Sequence, residues 1–336
     1  MSPEPEENVD PQPAARAVHR SVLLNEVLTW LDPKAGSVIV DGTAGAGGHS
    51  RALAGKVGTT GRIFGLDRDP AMLALAAQAT QGLPVTLVPS AYSDMAEVLE
   101  SLNIPLGTVD GILLDLGLSS DQLAWTHRGF SFANDGPLDM RFNPGGEDPS
   151  AAELVNSLDE VELARIIFEY GEERYSRRIA RRIVEARQLA PFTTTARFAE
   201  VVRRGVPGKW GPMDPATRTF QALRIAVNDE LGHLERTLAF LAEVLRPGGR
   251  AAIISFHSLE DRRVKHAFRD DPRLEVLTRK PVTASPEELA VNPRARSAKL
   301  RVAERCPTQT GPTEPPNPHY RKARKAGTSG GTGMTS

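Results

Sequence analysis

The sequence predicts an α/β fold built on a doubly wound, largely parallel sheet. Short apolar runs alternate with helical segments over residues 37–115, in the order typical of such sheets. The first run ends in Asp41 and leads into a glycine-rich turn at residues 42–48. A later run, residues 109–115, is apolar almost throughout and ends in Asp115, as expected of a central strand buried on both faces. Because ligands bind beyond the carboxyl ends of such strands, these features also predict where a site lies.

Composition excludes several classes of protein. Hydrophobic residues make up 40% and charged residues 25% of the 336 positions, which is ordinary for a globular protein. No apolar run approaches a membrane span, and the N-terminus is acidic, so the sequence predicts no membrane contact and no signal peptide. Cys306 is the only cysteine, which leaves no intrachain disulfide and no cysteine-based zinc site. We therefore expect a cytoplasmic protein without a bound metal.

Periodicity and turn residues predict the individual elements. The predicted strands are residues 38–41, 61–67, 85–88, 109–115, 250–256, 274–278 and 299–303. The predicted helices are residues 21–31, 70–80, 157–168, 172–187, 195–204 and 231–245, with a further helix directly after the glycine turn.

The alternation of strands and helices stops between residues 135 and 221, where only helical segments are predicted. This predicts an all-helical insertion at 135–221 within an α/β domain formed by residues 18–134 and 222–306. Residues 1–17 are acidic and rich in Pro, and residues 307–336 are rich in Pro, Thr and Gly, so both tails are predicted to be disordered.

The glycine-rich turn predicts a nucleotide-type pocket. Glycines allow positive φ and close approach of a ligand, and the following helix directs its free N–H groups at that ligand. Asp67 ends the second strand, twenty residues beyond Gly47, where an acid accepts the hydroxyls of a ribose. A dinucleotide site prefers Gly or Ala at the position that Ser50 occupies, so a nicotinamide cofactor matches poorly.

S-adenosyl-L-methionine matches the same turn better. Asp41 would then lie near the methionine amino group, and the backbone from Gly45 to Gly48 would surround the methionine moiety. Asp67 would bind the ribose, and Tyr92 and Asp115 would line the adenine and methyl side.

Several long motifs resemble one family. They are residues 19–26, 41–50, 110–120, 128–132, 136–141, 217–225, 255–262 and 292–297. Together, over residues 18–306, they resemble the bacterial ribosomal RNA small-subunit methyltransferase H family, also called MraW. The resemblance implies a Rossmann-like class I S-adenosylmethionine-dependent methyltransferase sheet with the helical insertion as an RNA-recognition domain.

The resemblance also implies an activity and a set of contacts. The family methylates N4 of a cytidine in the decoding region of 16S rRNA, so 16S rRNA within the small ribosomal subunit is the expected partner. The implied cofactor contacts are Gly47, Gly48, His49, Asp67, Tyr92, Asp115 and Gln122.

An acid at the end of the fourth strand suits this chemistry. The lone pair of N4 is delocalised into the cytosine ring, and an acceptor on its N–H bonds draws the amine towards a tetrahedral geometry. Asp115 is therefore the predicted catalytic residue. Other amino-methyltransferases follow this acid with Pro-Pro-aromatic, whereas this chain continues with Leu116 and Gly117. Phe130 and Phe132 are the candidate aromatic contacts to the base, and the alternative is that both rings bury their loop against the insertion. His257 is a further candidate for the pocket, with a structural role as its alternative.

A cluster of arginines predicts where RNA phosphates bind. Arg178 and Arg182 belong to a predicted helix with several arginines on one side and apolar residues on the other. Arg294, Arg296 and Lys299 are additional phosphate candidates, together with the basic residues of the C-terminal tail. Paired glutamates nearby leave open that the arginine face is only solvated.

Two other classes remain open at this stage. A nicotinamide-dependent oxidoreductase would use the glycine turn but leaves residues 115–120 unexplained. A ribosome-assembly factor that retains the pocket without catalysis is the second alternative. A homodimer is also possible.

Overall fold

The computed structural model describes residues 20–208, 210–211 and 213–307 of the chain. Seven strands form one sheet in the order β3-β2-β1-β4-β5-β7-β6. The strands are β1 Val38–Asp41, β2 Arg62–Asp67, β3 Val85–Pro89, β4 Val109–Asp115, β5 Leu245–Ser255, β6 Leu274–Val276 and β7 Lys299–Arg305. The first five run parallel, while β7 lies antiparallel between β5 and β6. The predicted α/β class with a largely parallel sheet is confirmed.

The register of the parallel strands brings their acidic ends to one edge. Asp41 lies opposite Gly65 in β2 and Leu113 in β4. The side chains that follow β1, β2 and β4 therefore meet at the carboxyl edge, as expected for an open parallel sheet.

Helices cover both faces of the sheet and form the inserted segment. In chain order they are α1 Leu24–Leu31, α2 Gly48–Val57, α3 Pro70–Ala79, α4 Met95–Ser101, α5 Ser120–Ala124, α6 Ala151–Ser157, α7 Glu160–Gly171, α8 Ser176–Leu189, α9 Thr195–Gly205, α10 Ala216–Asn228, α11 Glu230–Val244, α12 Ser258–Asp270 and α13 Pro286–Val291. Among the residues described, no helix is long and apolar enough to cross a membrane.

Alternation along the strands divides the core into two layers. Val40, Ile112 and Leu114 pack on one face of the sheet with α4, α11 and α12. Ile39 and Leu113, their neighbours in sequence, pack on the opposite face with α1 and α2. Each layer buries side chains of alternating residues in β1 and β4, as the pleat of a strand requires.

The helical segment has a hydrophobic core of its own. This core comprises buried residues between Phe130 and Val227, contributed mainly by α6 to α10. It includes Phe192 and Phe198, whose rings meet edge to face at 5.3 Å. The predicted limit of the insertion at residue 221 lies within α10, so this helix continues from the insertion into the connection with the sheet domain.

Several predicted boundaries were wrong. The first helix begins at Leu24 rather than residue 21, because Leu23 takes a left-handed conformation with φ of 53°. Residues 157–168 were predicted as one helix, but α6 ends at Ser157 and Asp159 caps a new helix, α7. Similarly, α8 begins at Ser176 instead of residue 172. The helix α10 was missed. Residues 1–17 and 308–336, predicted as disordered tails, lie outside the described residues.

Candidate active site

A cleft of about 1070 Å³ opens at the carboxyl edge of the sheet. Its wall combines the glycine turn, the ends of β2 and β4, residues 115–122 and parts of the insertion and of α11. Of the predicted cofactor contacts, the cleft is lined by Gly45, Gly48, His49, Asp67, Tyr92, Asp115 and Gln122.

The glycine turn is shaped for a ligand that approaches the backbone closely. Gly47 has φ of 84°, a left-handed conformation that favours glycine, and α2 begins at Gly48. A Cβ atom on Gly48 would lie 2.2 Å from the Ser21 hydroxyl, so only glycine fits there without movement. The first N–H groups of α2 therefore lie beside the cleft.

Asp67 fixes the turn as well as lining the cleft. Its Oδ2 accepts the Gly45 N–H at 2.8 Å, and its Oδ1 accepts the Asp69 N–H at 2.9 Å. Burial raises the pKa of Asp67 from the ordinary 3.8 to about 6, although both backbone donors oppose this shift. The carboxylate thus links the end of β2 to the glycine turn of β1.

Two other predicted cofactor contacts lie behind the lining of the cleft. Asp41 is fully buried, and its Oδ2 accepts the Ser50 hydroxyl at 2.6 Å. Burial raises the pKa of Asp41 to about 6, partly offset by that hydrogen bond. Gly47 is packed against Ala76 of α3. Both residues stabilise the turn without lining the cleft, so direct contact of either one with the cofactor stays a prediction.

Asp115 ends β4, and one of its two carboxylate oxygens accepts no hydrogen bond from the described residues. Its backbone N–H donates to the Thr43 hydroxyl at 2.6 Å, which ties β4 to the glycine turn. Oδ2 lies 3.6 Å from Nδ1 of His49, while the buried Oδ1 has no hydrogen-bond partner within the described part of the chain. Burial raises the pKa of Asp115 to about 6, and the charges of His49 and Arg294 oppose the shift.

His49 occupies a buried position between α1 and Asp115. Its Nε2 lies 3.0 Å from the carbonyl oxygen of Val22, which can only accept a hydrogen bond. Nε2 therefore carries a proton, and Nδ1 faces the Asp115 carboxylate. The side chain of His49 thus contributes to the site, in addition to its backbone at the start of α2.

Tyr92 and Gln122 also form part of the cleft wall. The Tyr92 hydroxyl donates to the Glu230 carbonyl oxygen at 3.3 Å, and burial raises the pKa of this phenol. Gln122 donates through Nε2 to Asp69 Oδ2 at 2.8 Å and belongs to a capping box with Ser119 at the start of α5. Asp69 also binds the buried Arg128 at 2.8 Å, so Gln122 is held firmly in the wall.

Neither of the aromatic residues predicted to contact the base lines the cleft. Phe130 is 7% exposed and packs in the core of the insertion, 5.6 Å from the ring of Phe142. Phe132 is half-buried and meets Phe220 edge to face at 4.7 Å. Besides Tyr92, the cleft is lined by Phe142 and Phe256, which the sequence reasoning missed.

His257 lies next to the cleft but not in its lining. It precedes α12, and its Nε2 is 3.2 Å from Oε1 of Glu260. Glu260 itself is 2% exposed, lines the cleft and accepts the Phe256 N–H at 2.8 Å. The neighbouring charge of His257 helps to hold the pKa of Glu260 below its ordinary value despite burial.

The predicted arginine face lies on the exterior of the insertion. Arg178 and Arg182 are exposed on α8, outside the lining of the cleft. Arg182 pairs with Glu185 at 3.0 Å on the same helix. Arg187 instead donates to the carbonyl oxygens of Val155 and Leu158, at 2.8 and 2.6 Å, and has a structural role.

The sequence reasoning also missed polar residues that reach the cleft from distant parts of the chain. Arg294 was predicted as a surface contact to phosphate, yet it lines the cleft near Asp115. Glu230 lines the cleft and forms a buried bidentate pair with Arg224, with distances of 2.7 and 2.8 Å. Hydrophobic periodicity could not indicate that Arg294 and Glu230 reach the cleft, because sequence spacing does not report contacts between distant segments.

The residues present fit S-adenosyl-L-methionine. The cleft offers the glycine backbone at Gly45 and Gly48, the start of a helix, and Asp67 at the end of β2. A buried carboxylate oxygen of Asp115 without a hydrogen bond among the described residues also indicates a missing polar partner.

Known proteins match this chain over most of its length. The model of the MraW methylase family matches residues 16–306. Ribosomal RNA small subunit methyltransferase H of Deinococcus deserti is 52% identical over 89% of this chain and 97% of its own length. The proteins of the same name from Deinococcus radiodurans and Geobacter sulfurreducens are 51% and 50% identical. They are matched over 87% and 85% of this chain, and over 91% and 98% of their own lengths.

Proposed function

The chain belongs to the MraW methylase family, and we propose that it methylates N4 of a cytidine in the decoding region of 16S rRNA. The family match confirms the predicted class, a methyltransferase that uses S-adenosyl-L-methionine. The names of the relatives support ribosomal RNA of the small subunit as the substrate. We propose the assembled subunit as the form that is bound.

The observation that carries the N4 assignment is the environment of Asp115. An exocyclic amine has two N–H donors and a lone pair that is delocalised into the ring. Asp115 supplies a buried acceptor, Oδ1, in the lining of the same cleft as the glycine turn. A methyltransferase acting on a ring carbon has no comparable need for an acceptor at this position.

Bound S-adenosyl-L-methionine supplies an electrophilic methyl group. Asp115 Oδ1 accepts one N–H of the cytosine amine, which favours a tetrahedral nitrogen with an available lone pair. After transfer the nitrogen has an excess proton, and Asp115 takes it up; its pKa of about 6 allows both ionisation at neutral pH and protonation. The Thr43 hydroxyl holds the backbone N–H of Asp115, and His49 lies beside the carboxylate. Positioning of the reactants in the cleft supplies much of the remaining rate enhancement.

Phe142 and Phe256 are the rings available to the base. Phe142 is held by its backbone N–H, which donates to Asn228 Oδ1 at 2.8 Å. Phe256 follows β5 and packs near Gly117, where a Cβ atom would be 3.5 Å from the ring. A base extruded from the RNA is commonly held by aromatic side chains, and these two replace the missing Pro-Pro-aromatic motif in our proposal.

The helical insertion at 135–221 is the proposed RNA-recognition domain. It reaches the sheet domain at the cleft, where Arg68 binds Asp148 at 2.8 Å and the Asn228 carbonyl oxygen at 2.8 Å. The exposed arginines of α8, including Arg178 and Arg182, provide positive charge for phosphates on its outer surface. Such contacts position the RNA without reading its sequence.

Methyl transfer to subunits from a strain that lacks the enzyme tests this function. Tritiated S-adenosyl-L-methionine is supplied, and label is measured in small subunits and in naked rRNA. We expect incorporation into subunits by the wild type. An assembly factor that only retains the pocket would bind the subunits without transferring label.

The variant Asp115→Asn tests the role of the carboxylate in the same assay. Asparagine retains the shape of the side chain but weakens the acceptor and cannot take up the proton, so we expect transfer to fall about 100-fold or more. The affinity for S-adenosyl-L-methionine, measured by calorimetry, should change by no more than about threefold. Equal losses in rate and affinity would make Asp115 a cofactor contact only.

A further inference from the structure

Arg294 is a polar group in the cleft to which the proposed chemistry gives no role. It lies in a 3-10 helix, Pro293–Ser297, that follows α13, and its half-buried side chain lines the cleft. Nη1 donates to the Ser120 hydroxyl at 2.5 Å, and Nη2 donates to the carbonyl oxygen of Leu118. The guanidinium is thus fixed against the loop that follows Asp115.

These contacts leave hydrogen-bonding capacity in the cleft. A guanidinium has five N–H donors, and its contacts with described residues occupy one on each terminal nitrogen. The charge of Arg294 is close enough to oppose the rise in the pKa of Asp115, and Asp115 in turn stabilises the charged guanidinium. A buried acceptor and a set of donors fixed on the loop that follows it therefore line one cleft.

We propose that Arg294 is the specificity residue for the target base and donates to N3 and O2 of cytosine while Asp115 accepts from N4. This inference rests on the proposed function. The Watson–Crick edge of cytosine presents one donor group, N4–H, followed by two acceptors, N3 and O2. A carboxylate beside a guanidinium presents the complementary order, and the planar fork of arginine suits two adjacent acceptors.

The same pair rejects the other pyrimidine. Uracil has an acceptor, O4, at the position of the amine and a donor at N3. O4 would face the Asp115 carboxylate, and N3–H would face the guanidinium, so two buried polar groups would lose their partners. Adenine matches at its amine and N1 but has a C–H group where cytosine has O2.

A neutral base fits this place better than an anion. A phosphate or the carboxylate of the cofactor bound to Arg294 would lie near the ionised Asp115, and like charges at short range are unfavourable. Cytosine satisfies both side chains without added charge. The partial burial of Arg294 also contrasts with Arg296, which is exposed two residues later in the same 3-10 helix.

The test compares binding of small subunits that carry cytidine or uridine at the target position. Unmethylated subunits from a strain lacking the enzyme are bound to the wild type, Arg294→Gln, Arg294→Lys and Arg296→Gln in a filter assay with S-adenosylhomocysteine. We expect the wild type to prefer cytidine by about tenfold to a hundredfold. Arg294→Gln should reduce this preference to about threefold or less, and Arg294→Lys should retain part of it. The control Arg296→Gln should keep the full preference.

Three results would overturn the inference. One is a wild type that binds both subunits equally, and another is an Arg294→Gln variant that retains the preference for cytidine. The third is an equal loss for both subunits, which indicates a phosphate contact. Cofactor affinity, measured by calorimetry, should be unchanged in both Arg294 variants; if it falls instead, Arg294 holds the cofactor and the inference fails. If Arg294→Gln does not fold, Arg294→Lys alone decides. Failure of the proposed function is seen separately, as a wild-type product other than N4-methylcytidine.

Discussion

Three aspartates at the carboxyl edge of the sheet show how one residue type serves different purposes. Asp41 is enclosed by Ser50 and the glycine turn, and it stabilises that turn from below. Asp67 binds two backbone N–H groups and is still part of the cleft wall. Asp115 alone retains a buried oxygen without a hydrogen bond within the described residues. Asp41 and Asp67 use both oxygens in hydrogen bonds within the protein, whereas Asp115 keeps one oxygen that we propose binds the substrate.

The ionisation of Asp115 predicts the pH dependence of methyl transfer. The carboxylate form is needed to accept the N4–H, and burial raises the pKa of Asp115 to about 6. The single-turnover rate at saturating cofactor should therefore be constant near pH 8 and fall about tenfold per unit well below pH 6. Rates measured between pH 5 and 8 check this expectation.

The control for the pH profile is Asp115→Asn, which should lose this inflection and retain only a low rate. Cofactor affinity has to be measured at each pH, because the pKa of Asp67 is also raised to about 6. A wild-type rate that stays constant down to pH 5 would contradict the role of the carboxylate.

At the scale of elements, the turn between β1 and α2 depends on backbone conformation. Gly47→Ala places a side chain at φ of 84° and puts its Cβ 3.0 Å from the Ala76 Cα. We expect a loss of about 1–3 kcal/mol in the free energy of unfolding. Weaker binding of S-adenosyl-L-methionine should accompany it, because the turn forms the floor of the cleft. Chemical denaturation and calorimetry measure the two effects.

Gly55→Ala is the matched control, in the helix that follows the turn. Gly55 lies in α2, and a Cβ atom there would have no neighbour within 4 Å. Alanine is a better helix former, so the variant should be more stable by about 0.5–1 kcal/mol with unchanged cofactor affinity. Similar destabilisation of both variants would show that the turn geometry is not the cause.

The element that we propose binds RNA phosphates is α8. Reversing the charge of Arg178 and Arg182 should weaken binding of small subunits and flatten its dependence on salt. Loss of two phosphate contacts lowers the slope of log K against log salt by roughly 1.4–1.8. Binding measured over a range of salt concentrations provides this slope.

A charge-matched control comes from the opposite edge of the sheet. Arg246 lies in β5 where the register with β4 shifts and binds Asp110, and Arg269 lies near the end of α12 and binds Asp270. Reversing the charges of these two arginines changes the net charge of the protein by the same amount as the α8 variant. It should leave the slope of log K against log salt close to that of the wild type. An unaltered slope in the α8 variant would instead assign those arginines to a solvated surface.

At the scale of the whole molecule, the sheet was more predictable than the site. The strands β1 and β4 were predicted to the residue, because acids end both apolar runs. Local spacing also found Asp67 and Asp115. Arg294 and Phe142 could not be found in this way, since they reach the cleft through the packing of distant segments. The hydrogen bond from Arg294 to Ser120 spans 174 residues.

The insertion completes the cleft rather than lying apart from it. Phe142 and Asn228 line it from this side, and Arg68 of the sheet domain binds Asp148. Sequence periodicity predicted helices in the insertion. Separately, Phe130 and Phe132, in the loop before it, were predicted to contact the base. Their burial in the core of the insertion is explained by the apolar helices that surround them.

The central claim is that this chain methylates an exocyclic cytosine amine. Its most direct test is the identification, by mass spectrometry, of the modified nucleoside in small subunits taken from a strain without the enzyme and incubated with the protein and S-adenosyl-L-methionine. We predict N4-methylcytidine at one position in the decoding region with the wild type, and almost none with Asp115→Asn. A methyl group on a ring carbon, on a ribose or on another base would contradict the claim.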